Sequence, residues 1–88
     1  MAFIWDDANL EHIARHQLDE FDVEEALLDP KGKAAAASNR GGERRYGLVG
    51  ATAAGRVLYV VYAERGGDIR VVTAFDANAG QKRRYRQR

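Results

Sequence analysis

The chain of 88 residues has no cysteine, a single proline, a single methionine and no long apolar run. Each scarcity removes a class of protein. Without cysteine there is neither a disulfide framework nor a thiolate metal centre, which fits a reducing compartment. A membrane span needs about 20 consecutive apolar residues, and no window approaches that. The start, MAFIWDDANLEH, has neither the basic opening nor the apolar centre of an export signal. A soluble, cytoplasmic protein with no membrane contact is expected, and no motif asks for a cofactor. With no linker-like stretch, residues 1–88 should form one domain that buries only about 60 to 65% of its unfolded surface.

Acidic side chains become scarce after the first third. Residues 1–29 hold nine acids against one base, Arg15, a balance of −8, whereas residues 30–88 hold thirteen bases against four acids, a balance of +9. If these parts form different faces, one end of the domain attracts phosphate and the other suits a basic partner. The plain alternative is that the charges solvate exposed helix faces.

What is present reads as a simple order of elements. Phe3 to Trp5 form a short extended start, after which Asp6 or Asp7 can cap a helix. In that helix Leu10, Ile13 and Ala14 face inward at helical spacing. Asn9, His12 and His16 form a polar strip beside them. Asp19 caps a second helix, with Asp22 near its first-turn amides and Val23, Ala26 and Leu27 facing inward. Pro30 stops it. A first strand is expected near Lys33 to Ala37, then a flexible loop through Ser38 to Glu43. Three strand-like runs follow, Arg44 to Ala51, Arg56 to Glu64 and Asp68 to Phe75, joined by hairpin-length, glycine-containing turns. Asn78 and Gln81 suit a capping box for a last helix, in which Tyr85 is the only large nonpolar side chain. The expected fold is α+β: two N-terminal helices, a four-stranded antiparallel sheet and a C-terminal helix. Two helices cover one sheet face and leave the other partly open.

Alternation sorts the third run. Arg56, Leu58, Val60, Tyr62 and Glu64 share one face; Val57, Tyr59, Val61 and Ala63 share the other, which is the expected core face. Tyr62 and Glu64 would then lie on the open side, where Arg70, alternating with Val72 and Ala74, can join them. A cross-strand ion pair and ordinary packing explain the same residues without function.

In order and spacing, FIWDDANLEHIARH, VEEALLDP, ERRYGLVGATAAGRVLYVVYAE and IRVVTAFDAN running into QKRRYR resemble the BrnT family of toxins from bacterial type II toxin–antitoxin systems. The resemblance implies a RelE-like fold, a ribonuclease that arrests translation, and a BrnA-type antitoxin with a ribbon-helix-helix domain, through which any DNA contact would be indirect. There are departures. Where the family usually reads Thr-Ala-Arg, this chain has Thr73, Ala74 and Phe75. Ala79 stands where arginine is frequent, and Gln81 where an acid is.

Metal-independent RNA cleavage needs a base for the ribose 2′-hydroxyl, cations for the charged phosphorane and an acid for the leaving 5′-oxygen. Arginine suits the phosphate because its planar fork binds two oxygens and stays charged. The cations available are Arg44, Arg45, Arg56, Arg65, Arg70, Lys82, Arg83 and Arg84. Candidate catalytic residues are His16, Tyr62, Glu64, Arg70, Arg83 and Tyr85, with the general base left open among His16, Tyr62, Glu64 and Tyr85. Arg56, Arg65, Lys82, Arg84 and Arg86 are candidates for RNA contact, with Arg88 in the same basic tail and Tyr85 able to stack on a base. The tail is equally explained as a solvated helix end whose cations sit at the negative pole of the helix dipole. His12 and His16 lack a third ligand, so no metal site is expected. They serve more simply to position helix against sheet. The competing reading is a toxin-like binding module without cleavage that acts only in complex with its antitoxin.

Overall fold

Each of the three helices begins where a short polar side chain takes a free amide. The structure, a computed structural model, describes residues 1–87. Its elements run β1 (Phe3–Ile4), α1 (Asp7–Ala14), α2 (Glu20–Leu27), β2 (Lys33–Ala34), β3 (Ser38–Arg40), β4 (Glu43–Ala51), β5 (Val57–Arg65), β6 (Asp68–Asp76) and α3 (Ala79–Arg86). Asp6 caps α1 by accepting from the Asn9 amide at 2.7 Å. Asp19 with Asp22, and Asn78 with Gln81, form reciprocal capping boxes on α2 and α3.

The sheet differs from the expected one in three respects. It is mixed and six-stranded, in the order β1-β6-β5-β4-β2 with β3 pairing β4. Two-residue β1 precedes the helices and adds in parallel to the edge of β6, with Phe3 opposite Ile69 and Ile4 opposite Arg70. A strand that short carries no periodic signal, so it reads only as an extended start. Finally, the expected loop through Ser38 to Glu43 is a hairpin: β3 pairs the start of β4 across Gly41 and Gly42, whose φ of 55° and 81° are what a tight primed turn demands. β2 is correspondingly shorter than the strand expected near Lys33 to Ala37.

The core lies between the first two helices and one sheet face. Ile13, Leu18, Val23 and Ala26 pack on Leu58, Val60, Val71 and Ala74, all buried, with Trp5 and Leu27 closing the edge. The alternation is therefore inverted: Leu58 and Val60 form the helix-covered face, while Tyr59 and Val61 point the other way and are half-buried. Both faces of β5 are apolar, so alternation alone does not select the covered one.

Register breaks once. Val61 lies opposite Thr73, but Tyr62 lies opposite Val71, so Val72 is the extra residue of a β-bulge. Its carbonyl accepts a hydrogen bond from Asn9 Nδ2 at 3.2 Å, which fixes α1 against the sheet.

α2 approaches β4 closely because Gly50 has no side chain; a Cβ there would collide with the Ala26 carbonyl oxygen. Gly50→Ala should therefore lower stability by about 1–3 kcal/mol through forced displacement of α2. Urea denaturation measures this, and an unchanged midpoint would mean the helix shifts without cost.

Candidate functional site

The bulge at Val72 decides the position of Arg70. It brings Arg70 opposite Ala63, on the face that α1 and α2 do not cover. Glu43 and Arg45, two residues apart at the start of β4, extend toward the same place. Arg70 Nη2 donates to Glu43 Oε1 at 2.5 Å, and Arg65 donates to Glu43 Oε2 through Nη2 at 2.9 Å and Nε at 3.3 Å. Arg45 Nε lies 3.5 Å from Oε1. Three guanidiniums thus share one carboxylate. The hydrogen bond from Arg65 acts first to hold the Glu43 carboxyl below its usual value of 4.5; partial burial opposes it, and the Arg70 hydrogen bond adds to it.

This cluster has cationic capacity to spare. The side chains of Arg70 and Glu43 are 18% and 22% exposed, whereas Arg65 is 60% exposed and sits at the rim. Buried Arg70 Nε and Thr73 Oγ1 have no hydrogen-bond partner among the described residues. The donors within reach of an added acceptor such as a phosphate oxygen are those of Arg65 at the rim.

Around the end of the sheet, Gly42, Glu43, Arg44, Tyr46, Glu64 and Arg65 line a cleft of about 440 Å³. Tyr46 stacks on Tyr62 at 5.5 Å, and the Arg44 guanidinium lies 5.8 Å from the Tyr46 ring centre. Burial, then the charge of Glu64 and the neighbouring Tyr46, push the Tyr62 hydroxyl up, so it stays protonated at neutral pH. Glu64 is exposed and forms no ion pair among the described residues. Of the expected catalytic residues, Glu64 shares this cleft with Arg65, and Tyr62 stacks on its wall at Tyr46. Both project from the same face of β5 as Leu58 and Val60, so the expectation that they lie on the open side with Arg70 is not met, because the covered face of β5 is the opposite of the one expected.

The remaining candidates lie elsewhere. His16 is near Phe75, with ring centres 6.1 Å apart, and Phe75 in turn stacks on Tyr59. His12 and His16 are 5.8 Å apart, and among the described residues no group of three or more His, Cys, Asp or Glu is placed to hold a metal. Arg56 is committed to structure: it grips Asp76 through Nε at 2.6 Å and Nη2 at 2.9 Å, and donates to the carbonyls of His16 and Gln17. Arg84 donates to the Ala34 carbonyl, and the Tyr85 hydroxyl donates to Asp29 Oδ2 at 2.6 Å. Asp29 also accepts from the Ala51 amide, eight residues along β4 from Glu43 or roughly 25 Å at strand rise. Tyr85 is therefore at the opposite end of β4 from the arginine cluster. Arg83 and Arg86 are exposed on α3, Lys82 is half-buried, and Arg88 lies outside the described residues.

Glu43 was not among the expected site residues. Glu43 reads as the end of a polar loop; the one signal that it belongs to a strand is its place two residues before Arg45 in a run that continues into Tyr46 to Ala51.

The profile of the family described as ribonuclease toxin, BrnT, of type II toxin–antitoxin system matches residues 5–80. The chain belongs to the BrnT family. The fold agrees: the crystal structure of the Brucella abortus ribonuclease toxin BrnT superposes with a TM-score of 0.65 at 23% identity, over 89% of this chain and 97% of that one. Among curated proteins none matches. As a member of a type II toxin family, the chain has an antitoxin as its implied partner. No described helix is long and apolar enough to cross a membrane.

The lowered carboxyl of Glu43 has a measurable consequence. A carboxyl with a depressed native pKa contributes stability above its unfolded value and loses that contribution as pH falls through the native one. Stability should therefore drop on acidification below the usual 4.5. Glu43→Gln should lack its share of that drop while Asp29 and Asp76, also held low by hydrogen bonds, keep theirs. Urea midpoints from about pH 6 to about pH 3 test this; parallel curves would show that Glu43 is not tied to its arginines in solution.

Proposed function

We propose that this BrnT-family chain, with the RelE-like architecture its sequence resembles, is a metal-independent endoribonuclease that stops translation in the cytoplasm. Its antitoxin would be a BrnA-like protein with a ribbon-helix-helix domain, which contacts DNA itself and neutralises the toxin by covering its positive face. The observation that carries this reading is the surplus of donors on Arg45, Arg65 and Arg70 around the single carboxylate of Glu43.

In the proposed reaction Arg65 and Arg70 hold the nonbridging oxygens of the scissile phosphate and stabilise the phosphorane. The proton of the 2′-hydroxyl passes to a base that is left open among the candidates: Glu64 shares the cleft with Arg65 but projects from the sheet face opposite to Arg70, so it serves only a 2′-hydroxyl carried round the end of the sheet at Arg65. The 2′-oxygen then bonds to phosphorus, and the bond to the 5′-oxygen breaks as that oxygen is protonated. Glu43 is a poor base because its arginines hold it ionised; its role is to keep their forks apart and oriented. His16, Arg83 and Tyr85, remote from the cluster, contribute to binding or to the scaffold.

One observation favours the competing reading, a binding module without cleavage. Phe75 fills with an aromatic ring the place where the family usually has arginine, and it packs between Tyr59 and His16.

Cleavage of labelled single-stranded RNA in the presence of a chelator tests both. The native chain is expected to cut, and Arg70→Ala to slow cutting by about 10²- to 10³-fold while the far-ultraviolet dichroism is kept. Cutting only by Phe75→Arg would mean that the family chemistry is present but disabled here. Cutting by neither, with or without ribosomes, would leave the binding module.

A further inference from the structure

A second cleft, of about 570 Å³, lies at the far end of β4 and is lined by Pro30, Lys31, Lys33, Tyr85, Arg86 and Gln87. We propose that it is a nucleotide subsite for single-stranded RNA, with one base against the Tyr85 ring and its phosphates on Lys31, Lys33 and Arg86. This rests on the RNA-directed reading above and adds a place where the strand is held away from the arginine cluster.

The composition of the wall selects the ligand. Three cations and an aromatic ring line the cleft with no acidic side chain among them. A nucleotide offers both complements, a π-face and a phosphate. An acidic peptide would use the cations and leave the ring unmatched. The volume is in the range of pockets that take small organic ligands.

The wall is also built in place before any ligand arrives. Asp29 accepts from the Tyr85 hydroxyl at 2.6 Å, the Ala51 amide at 2.8 Å and the Lys31 amide at 2.9 Å. One carboxylate thus ties α3, β4 and the turn after α2 together. Burial works against its charge, but the three hydrogen bonds outweigh burial and bring the carboxyl below its ordinary range. Arg84 fixes α3 a second time through the Ala34 carbonyl, at 3.2 and 2.9 Å. Because Asp29 engages the hydroxyl, the ring of Tyr85 is held as a platform, and it is half-buried.

The test is binding, read separately from cleavage. A fluorescein-labelled oligoadenylate of about a dozen nucleotides is titrated against the full chain across a range of salt. Lys31→Ala/Lys33→Ala, an exposed and half-exposed pair, should weaken binding severalfold and reduce the slope of log K against log salt by about 1.4, the value for two lost contacts to a single strand. Tyr85→Ala should weaken binding by about 5- to 150-fold, the range for one lost base stack, while Tyr85→Phe keeps most of the affinity. Unchanged affinity and slope in the folded double-lysine variant would overturn the subsite. So would displacement of the RNA by an oligoglutamate of equal charge as readily as by unlabelled oligoadenylate, since that would assign the cleft to an acidic protein segment. RNA that binds with these dependences and is never cut would refute the ribonuclease reading and leave the subsite standing. Normal cutting with no response to the cleft variants would do the reverse.

Discussion

The extra residue at Val72 is the constraint on which the rest of the open face depends. Were β6 to pair without it, Arg70 would stand opposite Glu64 and project on the helix-covered side. With it, Arg70 stands opposite Ala63 and reaches Glu43 on the other side. The same irregularity turns the Val72 carbonyl to Asn9, so the feature that builds the cationic cluster also docks α1. Bulges re-aim side chains and interrupt ladders at some cost in pairing. Here the interrupted carbonyl regains a partner, which offsets part of that cost.

Charge segregation along the chain has a structural meaning as well as an electrostatic one. Many of the acids in residues 1–29 hold backbone or side chains in place: Asp6 and Asp19 cap helices, Glu24 accepts from the Trp5 indole at 2.9 Å, Glu25 accepts from the Ala53 amide, and Asp29 ties three segments. The early negative balance is thus spent partly on the scaffold. The later positive balance is spent on it only in part, by Arg56 and Arg84: Glu43 is one carboxylate against Arg45, Arg65 and Arg70, and α3 bears cations without acids. Like charges this close repel by an amount that depends strongly on local dielectric, and an arriving phosphate relieves it.

Local signals in the sequence were legible and nonlocal ones were not. Caps at Asp19 and Asn78, the stop at Pro30 and the three long strands follow from side chains within a few residues of one another. The covered face of β5 was not legible, because Leu58 and Val60 compete with Tyr59 and Val61 and only the docking of two helices decides between them. β1 has two residues and gains its place only from the edge of β6. Arg56 illustrates the same limit at the level of a side chain: as a cation beside a strand it suits phosphate, yet its donors go to Asp76 and to two carbonyls about 40 positions away in sequence. Glu43 was hidden because a Gly-Gly turn with polar flanks resembles a loop until its partner strand is known.

α3 shows how a helix with no apolar stripe stays attached. None of its residues is fully buried, so hydrophobic burial contributes little, and an isolated helix of eight residues is not stable in water. What remains is directional: the Asn78 and Gln81 box at its start, Arg84 on the Ala34 carbonyl, and Tyr85 on Asp29. Such contacts fix orientation more strictly than an apolar face would, because each is lost within a few tenths of an ångström or a modest rotation. The helix is thereby held with Arg83 and Arg86 turned to solvent. An apolar anchor would allow α3 to roll and carry those cations with it; a polar one keeps them presented.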